Sequence, residues 1–218
     1  MRNIPLNCLM TVAILLPGAM VRPAAASDIR EASIAAPVSA HVPAAHARLP
    51  AGVDVYARTD VGNGQCIVGT QSDEGSLSER PVVYFAKAAG EFAWHVQLRI
   101  PKNVYQGRAT HCVAWANALY VLVQMDTDSH VLTNQTLLEV VRLDNRTGLI
   151  TASSGFIGPT IAGPYTAWVE DGTGNFKCEH GKLVISGKFD LMSDWSDPGA
   201  HGSKTRTFVI ALPEDLHE

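Results

Sequence analysis

The chain is 218 residues long, with 17 Lys and Arg against 21 Asp and Glu, a formal net charge of −4 and 46% hydrophobic residues. That is enough chain and enough apolar content to bury a real core, in one domain or two small ones. Signs are mixed along the sequence with no basic stripe, which argues against a nucleic acid or an anionic membrane surface as a partner, since both lean on clustered Lys and Arg.

The first 26 residues have the layout of a secretory signal peptide. Arg2 supplies a positive start, Leu6 to Met20 is almost wholly apolar, Pro17 and Gly18 break the run, and Ala24-Ala25-Ala26 offers the small residues that a signal peptidase reads. The apolar run is too short for a comfortable membrane span, and no later segment qualifies, so no membrane insertion is expected after cleavage. The expected location is periplasmic or secreted. The removed segment carries Arg2 and Arg22 and no acid, so cleavage leaves 192 residues and moves the net charge to −6. Residues 27–50 hold seven alanines and the prolines Pro37, Pro43 and Pro50, and read as a flexible Ala/Pro-rich linker.

From 51 to 218 the texture changes to one all-β domain. Short runs rich in Val, Ile, Thr and aromatics alternate with Gly, Asn, Asp and Pro. Strands are expected near Val53–Arg58, Gln65–Thr70, Val82–Ala86, Phe92–Ile100, Thr110–Trp115 and Leu119–Met125. Six more are expected near Leu137–Leu143, Leu149–Ser153, Thr166–Val169, Asn175–Cys178, Leu183–Asp190 and Thr205–Leu212. About twelve short strands of this spacing predict an antiparallel meander, built as a β-sandwich or as an incomplete propeller-like array. No sustained 3.6-residue apolar period follows residue 50, so little helix is expected.

Two strands alternate cleanly. Phe92, Trp94, Val96, Leu98 and Ile100 fall on one face of the fourth; Leu183, Ile185, Gly187, Phe189 and Leu191 fall on one face of the eleventh. Leu119-Tyr120-Val121-Leu122-Val123 is apolar on both faces, which predicts a central strand covered from both sides. The unit from Thr110 to Ser153, four strands in succession with an Asp144-Asn145-Arg146-Thr147-Gly148 turn before the last, resembles one blade of a β-propeller. Trp94, Trp115 and Trp168 sit within strands and read as core. Asn134 and Asn145 match the glycosylation pattern but read as turn residues.

Three cysteines remain after cleavage, Cys66, Cys112 and Cys178. An oxidising compartment favours one disulfide and one leftover thiol, with three pairings open; the alternative is three buried, reduced thiols. His111, Cys112, Cys178 and His180 could form a tetrahedral metal site only if their two segments pair. A Cys112–Cys178 disulfide is the more economical use of those two cysteines, and no metal or cofactor is expected. Asp126-Thr127-Asp128-Ser129-His130 carries cation-ligating types but lacks the EF-hand glycine and terminal glutamate, and reads rather as a polar loop leaving a strand.

The longest irregular segment expected runs from Met192 to Ser203. It places Trp195 between Asp194 and Asp197, with His201 beyond; such a loop suits a contact surface, and equally suits a Trp195 folded back to plug one end of the core. No nucleophile elbow, Ser-x-x-Lys, His-Glu-x-x-His, Cys-x-x-Cys or phosphate loop is present. The favoured reading is therefore an exported, non-catalytic module that binds a protein partner in the cell envelope, of the inhibitor or immunity type. A second reading is an envelope glycan hydrolase using paired carboxylates from Asp190, Asp194 and Asp197. A third is a structural module of an envelope assembly, recruited through exposed edge strands.

Overall fold

The computed structural model describes residues 48–62, 64–72, 78–127, 134–195 and 204–216. The expected signal peptide and nearly all of the expected linker lie outside them. Twelve strands follow in chain order: β1 (Val53–Val61), β2 (Gly64–Ser72), β3 (Glu79–Lys87), β4 (Phe92–Gln97), β5 (Val104–Trp115) and β6 (Ala118–Thr127). Then come β7 (Thr136–Asp144), β8 (Ile150–Ile157), β9 (Tyr165–Trp168), β10 (Phe176–Glu179), β11 (Lys182–Leu191) and β12 (Arg206–Leu212). One turn of 3-10 helix, Met192–Trp195, precedes β12. No helix among the described residues is long and apolar enough to cross a membrane.

The fold is all-β and antiparallel, as the sequence predicts, and the strands form three sheets rather than a closed barrel. The first is the meander β1-β2-β3-β4 and the second is β5-β6-β7-β8. In the third, β11 lies between β12 and a lane shared end to end by β9 and β10, which pair with its two halves.

The sheets stack face to face, and alternation along β6 shows why the middle one is central. Leu119, Val121, Val123 and Met125 enter one core with Val68 and Val83 of the first sheet and Leu98 just beyond β4. Ala118, Tyr120 and Leu122 enter the other with Leu183, Ile185, Phe189 and Phe208 of the third. All ten residues of β6 are buried. Each large apolar side chain taken fully from water stabilises the fold by about 1.5–3 kcal/mol, and the double-sided burial of β6 makes it the strand least replaceable by polar residues.

β11 alternates as predicted, with Leu183, Ile185 and Phe189 facing the core and Leu191 packed against it. At Gly187 a Cβ would stand 2.6 Å from the Trp168 carbonyl oxygen and 2.5 Å from the Phe208 ring, so only glycine admits that ring. β4 departs from its predicted pattern. It ends at Gln97, and its register slips between the Phe85–Trp94 and Ala86–Phe92 pairs. That bulge moves one residue to the opposite face. Trp94, Val96, Leu98 and Ile100 therefore stay with the first core, while Phe92 packs on the outer face of the sheet beside Tyr84.

The Asp144–Gly148 turn holds the first two sheets together at one end. The Asp144 carboxylate accepts from the Arg146 and Thr147 amides and the Thr147 hydroxyl, and these bonds, the hydroxyl first, hold its pKa below the ordinary value. Gly148 adopts φ 72°, and a Cβ there would stand 2.6 Å from the Trp94 ring. The Trp94 indole N–H donates to the Asn145 carbonyl at 3.2 Å. Trp94, Trp115 and Trp168 are each half-buried, at the margins of the cores.

The structure selects one of the three open cysteine pairings, and it is not the Cys112–Cys178 bond preferred to a metal site. Cys66 on β2 and Cys112 on β5 form the disulfide, and Cys178 is free. The reason is the layering. Cys66 and Cys112 face each other in the core between the first two sheets, whereas Cys178 packs in the core on the far side of the middle sheet. The free thiol has a raised pKa because burial disfavours the thiolate.

Candidate functional site

The loop singled out from the sequence is only partly described. Asp197 and His201 lie outside the described residues, as does the side chain of Trp195. Asp194 sits in the 3-10 turn, and its Oδ2 accepts from the Arg206 guanidinium at 2.9 Å. Arg206 in turn lies over the Phe189 ring, 6.0 Å from its centroid. Asp194 thus anchors the start of β12. Asp190 is buried opposite Thr166 on β9, with one carboxylate oxygen lacking a hydrogen-bond partner.

The two metal readings fare differently. Asp126 is satisfied by protein groups: Gln106 Nε2 donates at 2.6 Å and Thr136 Oγ1 at 2.7 Å, and Arg108 Nη2 lies 3.2 Å away. Asp128, Ser129 and His130 lie outside the described residues. The His111, Cys112, Cys178 and His180 set does not assemble, because Cys112 is spent in the disulfide and points away from His111 across the strand. His180 lies in the turn after β10 at φ 50°.

His111 has another role, which the sequence did not signal. It faces the third sheet and contacts the Phe176 ring at 6.0 Å between centroids. Its Nε2 lies 3.1 Å from the Glu170 carbonyl oxygen, so that nitrogen carries the hydrogen and donates. Nδ1, 3.0 Å from Thr110 Oγ1, then accepts from the hydroxyl. Gln124 Nε2 donates to the same Thr110 oxygen at 3.1 Å and to the Val169 carbonyl at 3.0 Å, while its Oε1 accepts from the Val169 amide at 3.1 Å. This chain ties β5 and β6 to the segment that joins β9 to β10. Beside it a cavity of about 280 Å³ is lined by Ala57, Thr59, Val113, Gly172 and Phe176. Most of its wall is apolar, and both imidazole nitrogens are already bonded, so His111 offers no free nitrogen to a ligand.

Burial lowers the His111 pKa below the ordinary 6.5, and the Glu170 hydrogen bond and Asp171 only partly oppose it. The unfolded chain therefore takes up the proton first, and stability rises with pH through the window from the folded pKa to 6.5. The urea midpoint is expected to fall as pH drops from about 7 to about 5, and the His111→Gln chain to show a flatter profile over that range. An unchanged slope in that variant assigns the dependence to other groups.

The larger concavity is a groove of about 660 Å³ beside β8 and β12, each of which pairs on one side only among the described residues. It is lined by β8, Gly158 and Thr160 of the following connection, Tyr165 at the start of β9, β12 and Leu216, and no charged side chain contributes among the described residues. Hydroxyls come from Ser153, Ser154, Thr160 and Tyr165; burial raises the Tyr165 pKa, which keeps that hydroxyl a donor. Ile157, Ile210 and Leu212 supply apolar surface. Two of its lining side chains, Phe156 and Val209, are large, apolar and exposed. Neither Asp190 nor Asp194 lines this groove or the His111 cavity. No protein-family model matches the chain, and no curated protein matches it.

Proposed function

We propose that this chain is an exported, non-catalytic module that binds a protein partner in the cell envelope, of the inhibitor or immunity type. The observation that carries this reading is the uncharged groove beside two sheet edges, flanked by exposed Phe156 and Val209. A concavity edged by unpaired strands suits a polypeptide, which can satisfy both backbone hydrogen bonds and apolar contacts. The acidic balance supports steering toward a basic partner, with an association rate that falls as salt rises.

The test uses the chain, with its disulfide formed, as bait in a solubilised envelope extract. The expected result is one protein retained in a fixed ratio, with capture slowing at high salt. Turnover of an envelope glycan that is lost on Asp190→Asn or Asp194→Asn, with no protein retained, would replace this reading with the hydrolase one.

A further inference from the structure

β12 differs from every other sheet edge among the described residues. Edge strands ordinarily carry charges, prolines, bulges or short lengths that stop them pairing with strangers. β1 has Asp54, Arg58 and Asp60 and a register break at Val55/Ala57. β4, β5 and β8 each take part in a register break. β9 and β10 are four residues apiece. β12 instead pairs with β11 in unbroken register from Arg206 to Leu212, and Thr207–Leu212 contains no charge, proline or glycine. Val209 at its middle is 69% exposed.

The unprotected edge opens into the groove described above, whose opposite wall is β8. Its strand residues come mainly from β8 and β12, with Tyr165 from the start of β9 and none from β7 or β11, and β8 and β12 are each the outermost strand of their sheet among the described residues. A strand residue occupies about 160 Å³ at ordinary strand and sheet spacings, so about 660 Å³ holds about four residues of one extended segment. A second copy of this chain fits less well. Its own β12 would arrive with β11 and the rest of that sheet, far more than about 660 Å³ admits. The absence of charge in the lining selects an uncharged segment, because an ionised side chain placed there would lose water without gaining a partner.

From these features we infer that β12 is a strand-addition site, which takes an extended, uncharged segment of about four residues from a partner protein and pairs it along the free edge from Thr207 to Leu212. This rests on the protein-binding reading above and names the manner of binding.

The test exposes the purified, oxidised chain to a phage-displayed library of random octapeptides. Retained peptides are expected to share an uncharged, β-branched or aromatic stretch about four residues long. Thr160→Arg and Val209→Lys alter exposed positions at the groove and its edge, and each should weaken retained peptides about tenfold or more while leaving the urea midpoint nearly unchanged. Retention of no peptide overturns the inference, as does retention of charged or proline-rich ones, or undiminished binding by both variants. A dimer in sedimentation that Val209→Lys dissociates overturns it in favour of a second copy. The envelope capture separates the two readings. If Thr160→Arg retains the same envelope protein as the parent, binding stands and the groove does not serve it. If peptides bind but no envelope protein is retained, the edge site stands and the functional reading falls.

Discussion

Replacing both Cys66 and Cys112 by alanine is expected to lower the unfolding free energy by about 4 kcal/mol. The bond joins residues 46 apart in sequence, so its removal releases a long loop in the unfolded state. It also clips β2 to β5, which belong to different sheets and share no backbone ladder. Both cysteines are buried, Cys66 completely, so the double variant also loses some packing. Urea unfolding with and without reductant measures the effect, and peptide mapping identifies the linked pair. Cys178→Ser should leave the disulfide intact. A midpoint unmoved by reductant would mean that the bond contributes nothing to stability.

Gln124→Ala is expected to cost about 3 kcal/mol, far more than an average substitution of a polar residue. The side chain bonds both the N–H and the C=O of Val169, as a neighbouring strand would, and also reaches Thr110. All of this is buried, where an unpaired backbone group costs about 1–3 kcal/mol. Truncation orphans two such groups at once. The Val169 amide should then exchange with solvent much faster than its neighbours on β11, because the link between the second and third sheets is cut locally. Equal protection in parent and variant would show that water or a neighbouring group replaces the amide. Through Thr110 the same substitution frees His111, so its pH profile should change as well.

These two effects differ in how visible they were beforehand. Cys66 and Cys112 were both named as disulfide candidates, but their pairing depends on which faces of the sheets meet. The more economical pairing, Cys112 with Cys178, joins residues on opposite sides of the middle sheet. Gln124 gave no signal at all, sitting inside an apolar strand that read as continuous core. Its partners are 14 and 45 residues away. The groove was equally hidden, since Ser154 and Thr160 look like ordinary turn chemistry until β8 and β12 stand side by side.

What the amino-acid sequence determined by itself was the class of fold, the number of strands, the double-sided burial of β6 and the alternation of β11. Each follows from side chains a few residues apart, because strand periodicity and turn chemistry are local. Tertiary structure alone decided the stacking of three sheets, the cysteine pairing, the buried His111–Thr110–Gln124 chain and the open edge at β12. Those depend on contacts between residues distant along the chain, and one bulge, as at β4, is enough to turn a side chain to the other face.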